Sequence, residues 1–248
     1  MSAIREDRDK RLSAPMLLTL HLAPGIAIAA VFFVLARILI RSGFTAYLAL
    51  IVAIPLCLVP VEIGVMLWWA RHSTRTRSLR EVINYHQKGA MIENVGFPAL
   101  LILWLGISSL AIAPVSRYIG PALSSWFPSW ASQEALINGL SHCPVGQRHA
   151  ALLLAIIFSG FVAPVVEELY FRGFLLSRME HLKWAAPVMN SLLFALYHFY
   201  FPEKVLLIFV AFLPISYVVW KKRNVAISMI THAVINLLGV AQLFLVLT

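Results

Sequence analysis

Charge is what this 248-residue chain has least of. Asp, Glu, Lys and Arg make up 12% of it and apolar residues 60%, where a soluble domain carries about 25% and about 45–50%. That shortage excludes one or two water-soluble domains. It leaves a polytopic membrane protein, because apolar runs near 20 residues cross about 30 Å of hydrocarbon as helices. The mean hydropathy of +0.83 agrees. Cysteine is scarce too. Cys57 lies in an apolar run and Cys143 in a polar loop, which excludes a disulfide framework and a cysteine-based metal site. Internal repeats and low-complexity tracts are absent. The net charge of +9 does not point to nucleic acid, since the basic residues form short clusters between apolar runs, as membrane topology signals do.

What is present is a series of apolar segments, at about 16–39, 46–70, 95–115, 150–176, 185–200, 205–220 and 225–247. The expected fold is all-α, a polytopic membrane bundle of seven transmembrane helices. An eighth span is open in 116–148, where Trp126, Trp130 and small polar residues also suit an interfacial or short re-entrant helix. The chain divides into a basic N-terminus at 1–15, transmembrane helices and an outer loop at 16–149, and a transmembrane core at 150–248. The opening "MSAIREDRDKR" carries too many charges for a cleavable signal.

With seven spans, fourteen cations fall on one side: Arg5, Arg8, Lys10, Arg11, Arg71, Arg75, Arg77, Arg80, Lys88, Arg178, Lys183, Lys221, Lys222 and Arg223. Arg41, Arg117, Arg148 and Lys204 fall on the other. The positive-inside rule then sets the N-terminus in the cytoplasm and the C-terminus outside.

Three spans carry polar groups at helical spacing. The stretch "FVAPVVEELYFRGFLL" has Glu167, Glu168 and Arg172; "FALYH" has Phe194 and His198; "HAVIN" has His232 and Asn236. At about 1.5 Å of rise per residue, Glu167 lies roughly 14 Å from the cytoplasmic end of its span, His198 near 20 Å and His232 with Asn236 roughly 10–17 Å. All fall in one layer of the bilayer, which predicts a single intramembrane site. Ionisable groups at such depth face a bundle interior or a water cavity and carry function. Glu168 and Arg172 are i,i+4 with the acid first, the favourable order for an ion pair. The simplest division makes them a structural pair and leaves Glu167 free. Beside an imidazole, Glu167 could serve as a general base. His232 and Asn236 share a helix face and offer N–H groups suited to an oxyanion.

The bland readings compete with these. A Glu–Arg pair in a span can do no more than fix packing, Phe194 can be core or shape a pocket, and His198 can be a helix–helix contact. Glu62, after Pro60 in the second apolar segment, could line the same cavity or contact substrate. The alternative is an internal hydrogen bond to another span. His21 reads as interfacial or packing. His142 and His149 near Cys143 are too irregularly spaced for a metal site. Trp68, Trp69 and Arg71 read as an interfacial anchor, and "TRTRSLR" as a topology signal that could also draw anionic lipids or an acidic partner.

Together, in order and on membrane spans, "EELYFR", "FALYH" and "HAVIN" resemble the CPBP family of intramembrane proteases, which includes CAAX prenyl endopeptidases and bacterial proteins linked to bacteriocin processing or immunity. The resemblance covers roughly 160–240. It implies a glutamate-type peptidase in which Glu167 with His198 activates water while His232 and Asn236 hold the oxyanion. Two Glu and two His could ligate zinc, yet there is no His-Glu-x-x-His and Asn236 is a poor zinc ligand, so no cofactor is expected. The implied partners are the lipid bilayer and a membrane-associated protein or peptide, cut near its C-terminus, with no nucleic acid. The chain's length and lack of a retention signal fit a bacterial plasma membrane. A non-catalytic immunity or scaffold protein on the same fold stays open. A proton-coupled transporter would need repeats and paired broken helices, which the sequence does not offer.

Overall fold

The computed structural model describes residues 12–73, 75–125 and 127–247. Arg5, Arg8, Lys10, Arg11 and Trp126 lie outside the described residues. Helices carry the fold: α1 (Ala14–Arg41), α2 (Ala46–Ser73), α3 (Met91–Ser124), α4 (Gln133–Ser141), α5 (Val145–Arg178), α6 (Ala185–Tyr197), α7 (Pro202–Lys222) and α8 (Val225–Leu247). All but α4 and α6 are long and apolar enough to cross a bilayer. The chain is a multi-pass integral membrane protein.

The expectation of seven full spans resolves, among the described residues, into six long helices and one short apolar one. Helix α6 has 13 residues, and it stops because His198 leaves the helical conformation and Pro202 begins the next helix. No eighth span forms among the described residues. The first part of 116–148 prolongs α3, and α4 has only nine residues, about 14 Å at 1.5 Å per residue. Ser132 caps α4 by accepting the Ala135 N–H at 3.2 Å.

Helix α5 is central. It packs on α2, α6 and α8, while α1 pairs with α2, α6 lies between α1 and α7, and α3 runs along α7 and α8. Two of these helices contain wide π-turns: Val59–Ile63 in α2, and Ile156–Val162 and Glu168–Leu175 in α5. Proline explains two of them. Pro60 lies within the first, and Pro164 follows the second. Each lacks an N–H and its ring clashes with the carbonyl four residues back, so the chain widens locally to keep its other hydrogen bonds.

The loops sort into two ends. At one end the Asn84 N–H donates to the Gly173 carbonyl, Gln87 N–H to Arg223, and the Tyr85 hydroxyl to Glu180 at 2.8 Å, with Arg223 ion-paired to Glu180. Burial pushes the Tyr85 hydroxyl up to about 12. At the other end Gln147 donates to the Gly43 carbonyl and Arg148 to Leu247. The basic loops after α2, α5 and α7 thus gather at one end of the bundle, the grouping that the sequence charges predict.

Candidate active site

Helix α5 supplies the acids. Glu167 ends its α-helical turn, and Glu168 begins the π-turn that also contains Arg172. Glu168 and Arg172 are fully buried, whereas Glu167 and His232 each keep 4% of their surface exposed. The pair therefore lies behind, and Glu167 and His232 form the accessible edge.

Glu168 is the hub. Its Oε1 accepts from Arg172 Nη1 at 3.1 Å and from His232 Nδ1 at 2.9 Å. An ionised carboxylate only accepts, so Nδ1 carries the proton. The other ring nitrogen, Nε2, stands 3.7 Å from Glu167 Oε2, beyond hydrogen-bond range. This is the arrangement of a base or electrophile held by an acid behind it. Glu167 is not free: its Oε1 accepts from the Tyr197 hydroxyl at 3.0 Å. Its Oε2 is the available acceptor.

Arg172 is locked from three directions. Its Nε donates to Ser216 Oγ at 3.4 Å, and its guanidinium lies 4.0 Å from the centre of the Phe194 ring and 5.1 Å from that of Phe212. Phe194 itself is fully buried, and its ring supports the Arg172 guanidinium. Ser216 belongs to a network that reaches α1. It donates to Asn190 Oδ1 at 3.3 Å, Asn190 Nδ2 donates to the Phe171 carbonyl at 2.9 Å and to His21 Nε2 at 3.2 Å, and His21 Nδ1 donates to Leu17 at 2.8 Å. His21 is therefore a buried linker rather than an interfacial group. Neither Asn190 nor Ser216 is legible from the sequence, because one polar residue in a span has no spacing to read.

His198 and Asn236 occupy the flanks. His198 ends α6, is half-buried, and donates Nδ1–H to the Phe194 carbonyl at 2.9 Å, which leaves Nε2 as an acceptor. It interacts electrostatically with His232 but makes no hydrogen bond or ion pair with Glu167 among the described residues. The hydroxyl beside Glu167 belongs instead to Tyr197, the residue before it. Asn236 Nδ2 donates to the Ser159 carbonyl in the first π-turn of α5 at 2.8 Å; its second N–H remains.

Tyr197 owes its position to close helix contact. A Cβ on Gly25 of α1 would collide with the Tyr197 carbonyl, so only glycine lets α1 approach α6 this nearly. Glu62 lies in the π-turn of α2 that packs on the turn of α5 ending in Glu167. It is fully buried, and neither carboxylate oxygen has a hydrogen-bond partner. An internal hydrogen bond to another span is thus not found. Among the described residues no three His, Cys, Asp or Glu side chains stand together as a metal-ligand set, and His142 donates locally to the Asn138 carbonyl.

Fold and site together define a multi-pass membrane protein with a buried Glu/His/Arg centre. Residues 149–238 match the family model described as type II CAAX prenyl endopeptidase Rce1-like, which supports the resemblance of the three motifs to the CPBP family. That is a family of proteases, so the match supports a peptidase with a membrane-associated protein or peptide as substrate. Neither a curated protein nor a solved structure matches the chain.

Proposed function

We propose that the chain is a glutamate-type intramembrane endopeptidase that cuts a membrane-associated protein or peptide near its C-terminus. The observation that carries this reading is the contact of Glu167, Glu168 and His232, drawn from two helices, with Glu167 Oε2 uncommitted. Glu167 takes a proton from the attacking water, general-base work for which a carboxylate with one free oxygen is suited. Tyr197 fixes the other oxygen and so aims it. Glu168 holds His232 by Nδ1, as the acid of a triad holds its histidine. The ring then offers Nε2, when protonated, to the developing oxyanion, and the second N–H of Asn236 joins it. His198 contributes an acceptor nitrogen at the edge of the same cluster. Glu168 and Arg172 support the centre and do not react.

By the positive-inside rule the clustered basic loops support a cytoplasmic location for their end of the bundle; on this reading the membrane is a bacterial plasma membrane and the substrate enters from the cytoplasmic side. The test is turnover in cells. Wild type, Glu167→Gln and His232→Ala are expressed at matched levels, and the ends of membrane peptides are compared by mass spectrometry. A product made only by wild type is the expected result. Identical peptide ends from all three, with a surviving phenotype, would instead mean a binding protein on a protease fold.

A further inference from the structure

Glu62 is a group the mechanism above does not use, and among the described residues it is a fully buried acid with no hydrogen bond to either oxygen. Buried polar groups are almost always hydrogen-bonded, yet both of its oxygens are unpartnered. The hydroxyls that feel its charge are committed elsewhere: Tyr170 donates to the Leu20 carbonyl at 2.8 Å, Tyr197 to Glu167 at 3.0 Å, and Tyr200 is hydrogen-bonded with Tyr197. Glu62 feels the charges of Glu167, Glu168 and Arg172, so it belongs to the same electrostatic cluster. Its setting is a proline-widened turn seated on the turn that carries Glu167, and such π-turns recur at functional sites.

Charge balance gives it a role. Among the described residues, the three carboxylates Glu62, Glu167 and Glu168 share one permanent cation, Arg172, in a buried interior. Uncompensated buried charge is not sustained there, so protons fill the deficit. The imidazole of His232, between Glu167 and Glu168, can hold one. Glu168 is bound as a carboxylate by Arg172 and His232, and Glu167 accepts from Tyr197. The acid with no donor pointed at it is Glu62.

We propose that Glu62 holds a proton in the resting enzyme and gives it to the departing amine nitrogen, acting as the acid partner of Glu167. This rests on the hydrolytic reading above. The water oxygen bonds to the peptide carbonyl carbon while its proton passes to Glu167. The carbon–nitrogen bond then breaks, the nitrogen takes the proton from Glu62, and the fragments leave as a carboxylic acid and an amine. The proton on Glu167 returns to Glu62 and both acids are reset.

The test uses the full chain in lipid nanodiscs, with Glu62→Gln and Glu167→Gln beside wild type. The probes are a fluorogenic prenylated CAAX peptide and the same peptide with an ester in place of the scissile amide. An amine must be protonated to leave, and an alkoxide with an electron-withdrawing substituent need not be. Glu62→Gln should cut the amide about 100-fold or more slowly, with KM little changed, and lose at least ten-fold less on the activated ester. Infrared spectra give a reading that needs no turnover: the carboxylic-acid carbonyl band of wild type should persist in Glu167→Gln and vanish in Glu62→Gln. Wild-type amide cleavage by Glu62→Gln overturns the acid role, as does an equal loss on both probes or a band that survives in Glu62→Gln. Wild type that cuts neither probe overturns the hydrolytic reading, and Glu62's part in it, at once.

Discussion

The two adjacent glutamates of α5 face different fates when their charge is removed. Glu168 is fully buried between Arg172 and His232. Glu168→Gln leaves a buried guanidinium short of its counter-charge, which costs about 3–5 kcal/mol when one partner of such a pair is removed. That variant should lose both activity and thermal stability, measured as a lowered Tm in detergent. Glu167→Gln should keep the Tm and lose only turnover, because a glutamine oxygen still accepts from Tyr197. Tyr197→Phe removes one hydrogen bond to a charged group, worth about 1.5–3 kcal/mol. It should slow kcat about ten- to a hundred-fold while leaving binding intact. At this scale the sequence was partly legible. The i,i+4 spacing revealed Glu168–Arg172, and common depth revealed that His232 would meet the acids. Tyr197 was not legible, although it stands in "FALYH", since a tyrosine beside a motif histidine looks the same whether it packs or donates. The pairing of Glu168 with His232 was equally hidden, because spacing along one helix says nothing about which acid a second helix will touch.

Elements decide whether those residues meet. The π-turns of α2 and α5 displace side chains relative to a regular helix, and the sequence shows only Pro60 and Pro164 as hints of them. An α-helical reading therefore puts Glu62 in the right span without saying that its turn packs on the one that ends in Glu167. Asn236 ties α8 to the first π-turn through the Ser159 carbonyl; Asn236→Ala should therefore lose stability as well as activity, visible as a Tm shift without substrate present. The contact of α1 and α6 at Gly25 has no slack. Gly25→Ala should cost about 1–3 kcal/mol by overpacking and, through displacement of Tyr197, should lower kcat more than KM. Helix α6 was expected to be a full span because its apolar run continues past His198. The chain turns there, since His198 and Pro202 end one helix and start the next.

For the whole molecule, composition was the most legible feature: so little charge in so apolar a chain permits only a membrane bundle. The grouping of the basic loops was legible in the arginines and lysines, and the structure gathers those after α2, α5 and α7 at one end. Single cysteines at Arg80 and Lys183 should react with impermeant thiol reagents from the cytoplasmic side, and one at Arg117 from the other; reversed labelling would invert the proposed orientation. Substrate choice was not legible, because α1 to α4 lie outside the 149–238 match to the family and carry no motif that names a substrate.

On the proposed mechanism, water activated at Glu167 hydrolyses a peptide bond. The purified chain in lipid vesicles, supplied with a prenylated CAAX peptide in isotope-labelled water, tests it most directly. Wild type should yield a shortened peptide whose new C-terminal carboxyl carries the label, and folded Glu167→Gln should yield none. Labelled product at the wild-type rate from Glu167→Gln would contradict the account.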